Sequence, residues 1–333
     1  MNTCNKCILP DTFPGITFDN DGVCNHCRNF QGVEILQSHK KEYEEKFLEL
    51  VDRYRNHGSY DCLMAYSGGK DSTYTLKILR DRYKLRVLAL TIDNGFVSEQ
   101  AFRNMCNVTE NLGVDHLIFK PRFDLMKKIF RGAADNDIYS KKTLERASTI
   151  CTSCIGIVKS ATLKTALEKG IMLIGFGWSP GQAPVQSSVI RTNPALIKAT
   201  QAATQGPLSR LAGDEVNSYF LEERHFANAE GFPYNVHPLA FLKYDEEEII
   251  RDISQIGWQM PDDTDSNSTN CLLNAFANDV HIRRFNFHPY VWEIANMVRE
   301  GAMSREDGYK KIYGAQSPDL LIIAKEKLGL NEG

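Results

Sequence analysis

The apolar positions divide the chain into stretches of different character. Residues 1–30 show no periodicity, and four cysteines with the turn residues Pro10, Pro14, Gly15 and Gly22 dominate them, which predicts a small knuckle without a hydrophobic core of its own. From Glu34 to His57, Tyr43, Phe47, Leu50, Val51 and Tyr54 recur at helical spacing and Gly58 closes the run, predicting an amphipathic linking helix over residues 31–57. A strand–helix alternation follows. Strands are predicted at 61–66, 85–92, 116–119 and 171–176, and helices at 72–83, 98–112, 122–131 and 155–169, with Gly113 and Gly170 as stops. That alternation predicts an α/β fold with a parallel sheet and helices on both faces. Ligands of such sheets bind beyond the carboxyl ends of strands, where Ser67 and Asp93 fall.

Beyond Gly177 the pattern loosens into a turn-rich segment, Trp178 to Pro184, and then helical patches among Gly and Pro breaks over 185–235. Asp245 with Glu246, Glu247 and Glu248 marks the start of a helix that buries Ile249, Ile250, Ile253 and Ile256 and stops at Gly257. Ser304 and Ser317-Pro318-Asp319 start two more helices. The expected organisation is a knuckle (1–30), a linking helix (31–57), an α/β body (58–260) and a helical C-terminal region (261–333).

Composition adds limits. Of 333 residues, 42% are hydrophobic and 24% charged, as in ordinary globular proteins, and no apolar run approaches a bilayer span, so no membrane association is expected. Met1-Asn2-Thr3-Cys4 lacks a secretory leader's basic start and apolar stretch, which makes a cytoplasmic location the expectation. In that compartment CxxC pairs bind metal or do redox work more often than they form structural disulfides. The formal net charge of -3, from 39 basic and 42 acidic residues, provides no global attraction for nucleic acid.

Three constellations carry chemistry. Ser67-Gly68-Gly69-Lys70-Asp71-Ser72 lies between a strand and a helix, so backbone N–H groups, two hydroxyls, one ammonium group and a helix N-terminus converge as a phosphate site. The chain contains neither GxxxxGKS/T nor GxGxxG, which argues against a P-loop ATPase and a dinucleotide fold. Cys4 and Cys7 are separated from Cys24 and Cys27 by sixteen residues, a zinc-ribbon spacing. Four thiolates can close a tetrahedral zinc site and contribute on the order of 10 kcal/mol to a coreless knuckle; iron is the alternative metal. His26, between two ligands, is expected to be a bystander. Thirdly, Cys151 and Cys154 open a helix, whose N-terminus is expected to lower thiol pKa, and Cys271 stands near another helix start.

The SGGKDS turn resembles the signature of the PP-loop ATP pyrophosphatase superfamily, over roughly 60–260. The resemblance implies a five-stranded parallel sheet and cleavage of ATP to AMP and pyrophosphate, with adenylation of an acceptor oxygen that a nucleophile then displaces. It implies that Ser67, Gly68, Gly69, Lys70, Asp71 and Ser72 hold the phosphates, that backbone near Thr91 meets the adenine, and that Asp71 or Asp93 helps hold Mg2+. Cys4 to Cys27, with Ile8-Leu9-Pro10-Asp11-Thr12 and Pro14 to Asp19, also resembles the start of N-acetyl-sugar amidotransferase-like PP-loop proteins of bacterial surface-sugar biosynthesis. Asp93-Asn94-Gly95-Phe96 and Leu112 to His116 extend that likeness. Cys151, Cys154 and Cys271 together resemble the three-cysteine arrangement of PP-loop tRNA thiolation enzymes. There three thiolates bind a 4Fe–4S cluster with one open iron; a persulfide relay is the alternative.

The chain departs from both patterns. Thiolation enzymes carry a Gly-His motif with acidic residues after the fourth strand, and the amidotransferase-like proteins an acidic residue nearby; here the chain reads Gly175-Phe176-Gly177-Trp178-Ser179-Pro180-Gly181-Gln182. Trp178 and Gln182 could stack on and hydrogen-bond a planar acceptor, or pack the loop. The first functional expectation is ATP-dependent thiolation of a nucleobase or small molecule, with a sulfur donor as partner. The second is an amidotransferase with a glutaminase partner, and the third a non-catalytic ATP- and zinc-binding partner. A tRNA acceptor would meet the basic stretch Lys120, Arg122, Lys127, Lys128, Arg131, Lys141, Lys142 and Arg146, which could equally be a solvated helix face; a homodimer is compatible with the chain. Arg283, Arg284, His281 and His288 read either way.

Overall fold

The computed structural model describes residues 2–265, 267–314 and 318–330. Six strands, β1 (Cys62–Ala65), β2 (Val87–Ile92), β3 (Asp115–Phe119), β4 (Leu173–Phe176), β5 (Val189–Arg191) and β6 (Tyr234–Val236), form one sheet in the order β3-β2-β1-β4-β6-β5. All neighbours are parallel except β5, which runs antiparallel to β6 at the edge. The four strands expected from the sequence are all present. The implied five-stranded parallel sheet gains an antiparallel edge, because β5 and β6 are three residues long, too short to show as alternation.

The longer helices are α1 (Val33–Tyr54), α2 (Lys70–Lys77), α3 (Glu99–Leu112), α4 (Phe123–Asp135), α5 (Thr149–Lys169), α6 (Pro194–Ala212), α7 (Glu246–Ser254), α8 (Asn274–Phe285), α9 (Val291–Arg299), α10 (Arg305–Tyr313) and α11 (Pro318–Leu328). Their ends follow local chemistry. Ser98 caps α3 by accepting from Ala101 N at 3.0 Å, and Gly113 ends it at φ +60°. Asp245 caps α7 and Ser304 caps α10, as read from the sequence. Ser317, the expected start of the last helix, lies outside the described residues. Helix α5 begins six residues earlier than predicted, at Thr149, with Ser148 as cap, so both cysteines of its CxxC pair sit in the first two turns. It is also long and apolar enough by length and composition to cross a membrane, contrary to the expectation of no such run. Here it packs on β1, β2 and β4 and against α4, α6 and α8.

Alternation in the central strands sorts side chains onto two faces. Met64 and Ala89 point into one cluster with Phe47, Leu76, Leu79 and Met105, while Leu63, Leu88 and Leu90 point into another with Ala161, Leu163 and Ala166. The first cluster continues into α9 and α10 through Ile294, Met297 and Ile312, and into the N-terminal segment through Ile8, Leu9 and Phe13. The knuckle therefore shares the main core. Phe13 stacks on Trp292 at 5.5 Å, Tyr313 donates to Ile8 O at 2.8 Å, and Thr12 Oγ1 donates to Asn286 O at 2.6 Å.

The chain leaves β1 toward β2 and β3, then returns to the other side of β1 as β4. The crevice between the ends of β1 and β4 is thus the topological switch point, where α/β sheets bind ligands.

Candidate functional site

The turn after β1 enters that crevice. Gly68 is at φ +74°, and a Cβ there would lie 2.8 Å from both Ala101 O and Met105 Cε, so conformation and space both require glycine. Trp258 Nε1 donates to Gly68 O at 3.0 Å and holds the turn from below. The hydroxyls of Ser67 and Ser72 lie 3.0 Å apart, and Ser72 Oγ donates to Gly69 O at 3.0 Å. The sequence-predicted loop residues Ser67 to Ser72 are therefore brought together. Gly177, beyond β4, approaches so closely that a Cβ would lie 2.4 Å from Ser72 Cα.

Residues remote in sequence complete the site. Lys70 N donates to Thr269 Oγ1 at 2.8 Å. Lys70 Nζ donates to Asp71 Oδ1 at 2.7 Å and to Tyr244 OH at 2.6 Å, and Tyr244 OH in turn donates to Asp71 Oδ1 at 2.9 Å. Burial works against the Lys70 charge, but the carboxylates of Asp71 and Glu246 outweigh it and hold the pKa above the ordinary value. A cavity of ≈ 50 Å³ opens beside this network, with Lys70, Asp71, Tyr244, Glu246, Glu293 and Lys311 in its walls. Glu293 accepts from Ser179 Oγ at 2.5 Å and Gln182 Nε2 at 3.0 Å, and burial pushes its pKa up.

The other sequence candidates have partners of their own. Asp71 lines the cavity, whereas Asp93 pairs with Lys120 at 2.9 Å and accepts from Gly95 N at 2.9 Å. Thr91 is buried, its hydroxyl donating to Tyr66 O at 2.6 Å and lying 2.8 Å from His116 Nε2. Gln182 is directed at Glu293, and Trp178 stacks on His237 at 4.3 Å with Lys159 Nζ 4.4 Å from its ring. The basic stretch is broken up by pairing: Lys120 with Asp93, Arg122 with Asp124 and Glu215, Lys142 with Glu145, and Arg131 with the Gly329 carbonyl. His281 packs against Phe285 and Phe287, and Arg283 and Arg284 pair with Asp279 and Asp137.

The downstream cysteines edge one apolar cluster, and Cys271 lies two residues from the Thr269 contact with the loop. Cys271 forms a bridge with Val97, and Ser98 N donates to Asn270 O at 3.0 Å, so residues 270–272 run alongside the segment that follows β2. Asn94, in that segment, donates through Nδ2 to Cys154 Sγ at 3.2 Å. Cys151, Cys154 and Cys271 edge the same apolar cluster, around Phe96, Ile150 and Phe276. Their expected low pKa is overturned. Burial pushes Cys151 and Cys271 up to about 12 and Cys154 up to about 11, outweighing the helix N-terminus and the hydrogen bonds from Ser148 and Asn94. Cys151, Cys154 and Cys271 are partly buried, and three such thiols, once deprotonated, are donors of the kind that hold an iron–sulfur cluster.

The N-terminal cysteines form a separate four-thiol site. The ligand atoms of Cys4, Cys7, Cys24 and Cys27 all lie within 4.8 Å of one another. Cys4 Sγ is 3.8 Å from Cys27 Sγ and Cys7 Sγ is 3.7 Å from Cys24 Sγ. A tetrahedron with metal–sulfur bonds of about 2.3 Å has edges of about 3.8 Å, so the spacing fits one thiolate-bound ion. Cys7 N, Cys24 N and Cys27 N donate to cysteine sulfurs at 3.5, 3.2 and 3.4 Å, stabilising thiolate charge. His26 takes no part: its ring packs edge-on against Trp292 at 4.8 Å.

Tyr244, Glu246, Glu293 and Lys311 were not singled out as site residues by the sequence pattern. One signal for Glu293 was present: Tyr290, Glu293, Ile294 and Met297 share a helical face, which places a carboxylate on an otherwise apolar stripe.

Together these features define an α/β protein with a glycine–serine turn at the switch point of a mostly parallel sheet, a four-thiol metal-binding site and a helical C-terminal region. No family model matches the chain. It is similar to the uncharacterized protein MJ1599 of Methanocaldococcus jannaschii, 24% identical over 329 residues that cover 98% of this chain and 99% of that protein. Among solved structures it aligns with the U34-tRNA thiolase NcsA from Methanococcus maripaludis with its 4Fe–4S cluster. The alignment is 16% identical, covers 100% of this chain and 99% of that one, and has a TM-score of 0.36, too low to transfer anything about the site.

Proposed function

We propose that this protein is an ATP pyrophosphatase that activates a carbonyl oxygen of a nucleobase or small molecule and replaces it with sulfur carried at Cys151, Cys154 and Cys271. The supporting observation is that one short segment joins both halves of the chemistry. Thr269 accepts from the first amide of α2 in the loop, and Cys271, two residues on, packs against the same apolar cluster as Cys151 and Cys154. Activation and replacement would then occur in one crevice.

In this reading the acceptor oxygen attacks the α-phosphorus of ATP, forming a C–O–P link as the bond to the bridging oxygen breaks and pyrophosphate leaves. A sulfur nucleophile then attacks the activated carbon, the C–O bond breaks, and AMP departs with the original oxygen. Activation is needed because an unactivated amide oxygen is a poor leaving group. Ser67, Gly69, Lys70 and Ser72 would hold phosphate oxygens, Asp71 would hold Mg2+, and Trp258 would keep the turn in shape. A 4Fe–4S cluster on the three cysteines would supply an open iron for an exogenous sulfide. The four-thiol site is structural in this scheme, with zinc as its ion.

The test is iron, acid-labile sulfide and zinc content of anaerobically purified protein beside Cys271→Ala, with pyrophosphate release measured on both. About four irons with matching sulfide, lost in the variant, support sulfur transfer. Zinc alone, with ATP still cleaved to AMP and pyrophosphate, overturns it in favour of the amidotransferase reading and an ammonia-producing partner.

A further inference from the structure

We propose that Lys311, on α10 of the C-terminal region, is a ligand of the β- and γ-phosphates, exchanging Glu246 for phosphate oxygens when the nucleotide binds. The inference rests on the reading of the loop as an ATP site and identifies a residue that neither the loop motif nor its neighbours contain.

The cavity beside the loop has two ammonium groups in its walls, Lys70 and Lys311, and both reach the same carboxylate: Glu246 Oε1 is 2.8 Å from Lys311 Nζ and 3.8 Å from Lys70 Nζ. Two ammonium groups in so enclosed a place repel each other unless an anion lies between them. In this structure Glu246 is that anion. Tyr244 and Thr269, whose hydroxyls accept from Lys70 Nζ and Lys70 N, line the same space. Lysine pair, phenol and threonine hydroxyl match a ligand with several anionic oxygens and no hydrogen-bond donors, as in the terminal phosphates of a nucleoside triphosphate. The position agrees with the loop: Lys70 belongs to both the turn and the cavity wall, so phosphates leaving the turn on that side meet Lys311 next.

The charge balance adds a condition. Asp71 and Glu246 already balance the two lysines, so the triphosphate's own charge calls for a divalent cation to enter with it. Since negative charge grows on pyrophosphate as it leaves, a second ammonium group at this position would also favour the transition state over bound ATP.

The experiment is calorimetric titration of the full-length protein with α,β-methylene-ATP and Mg2+, and separately with AMP, for wild type, Lys311→Met, Lys311→Arg and Glu246→Gln. Lys311→Met is expected to weaken the triphosphate analogue roughly 10- to 100-fold while leaving AMP nearly unchanged, and Lys311→Arg to restore most of the loss. Glu246→Gln, which removes the competing anion, is expected to bind the analogue more tightly than wild type. A folded Lys311→Met that binds the analogue as wild type does overturns the inference and leaves the ATP site standing. Should Lys311→Met not fold, Glu246→Gln decides, and no gain in its affinity is the overturning result. Wild type binding neither analogue nor AMP sinks the ATP reading itself.

Discussion

Removing the metal from the N-terminal site should unfold more than the knuckle. The first 30 residues lack an independent core, yet Ile8 and Leu9 are fully buried and Phe13 is 3% exposed, all in the cluster that also holds Phe47, Met64 and Met105 under the sheet. If loss of the ion frees this segment, three large side chains leave that cluster, at about 1.5–3 kcal/mol each, Trp292 loses its stacking partner and Phe287 an edge-on one. The sum, roughly 5–9 kcal/mol, is comparable to the whole stability of a typical domain, about 5–15 kcal/mol. The expected outcome is that chelation, or Cys24→Ser, lowers the main thermal transition on the order of 10 °C or more, rather than adding a separate minor transition at low temperature. Differential scanning calorimetry with metal content measured on the same samples decides it. A main transition that stays in place after verified metal loss would refute the claim that the knuckle and sheet share one cooperative core.

Single positions carry three more expected outcomes. Gly177→Ala places a methyl group 2.4 Å from Ser72 Cα and 2.6 Å from Ser72 N, so it should abolish ATP binding and cost several kcal/mol, whereas Gly113→Ala, at φ +60° in open space, should cost only about 1 kcal/mol; thermal melts of the pair separate steric from conformational cost. Trp258→Phe leaves Gly68 O without its donor in a buried setting, and a loss of about 1–3 kcal/mol together with weaker ATP binding is expected; unchanged calorimetry on both counts would dismiss Trp258 as a support of the turn. For Glu293, burial raises the native pKa above the ordinary carboxylate value, so the native state binds the proton more tightly than the unfolded chain. Its contribution is therefore most favourable below the unfolded pKa and declines as pH rises through the native one. Glu293→Gln should flatten this decline in urea unfolding measured across pH, and a parallel decline in the variant would contradict the assignment.

How much of this was legible in the sequence depends on how local the cause was. Strands β1, β2 and β4 were readable because short, mostly apolar runs set between helical patterns fit a buried parallel sheet, β3 because its Leu117-Ile118-Phe119 run stands between two helical patterns although it forms an exposed edge, and the loop because its glycines answer to a turn only a few residues long. The carboxylates and lysine around the cavity have no such local cause. Glu246 belongs to an acidic helix start, where the macrodipole is reason enough for a carboxylate, and only the fold, which sets Lys70 within 2.6 Å of Tyr244 across 174 positions of chain, gives it a second role. The cysteines show the same limit in another form. Their spacing announced three sulfurs, but their charge state depends on burial, a tertiary property, and burial reversed the effect expected from the helix N-terminus. The segment Thr269-Asn270-Cys271 joins the loop to the thiols. It caps the loop through Thr269, pairs with the chain after β2 through Asn270 and carries one thiol of the trio. A ligand that displaces Thr269 from Lys70 N would therefore pull on Cys271 through the single residue between them, Asn270, whose carbonyl is held by Ser98 N, so phosphate binding at the loop would be felt at the thiol two residues on.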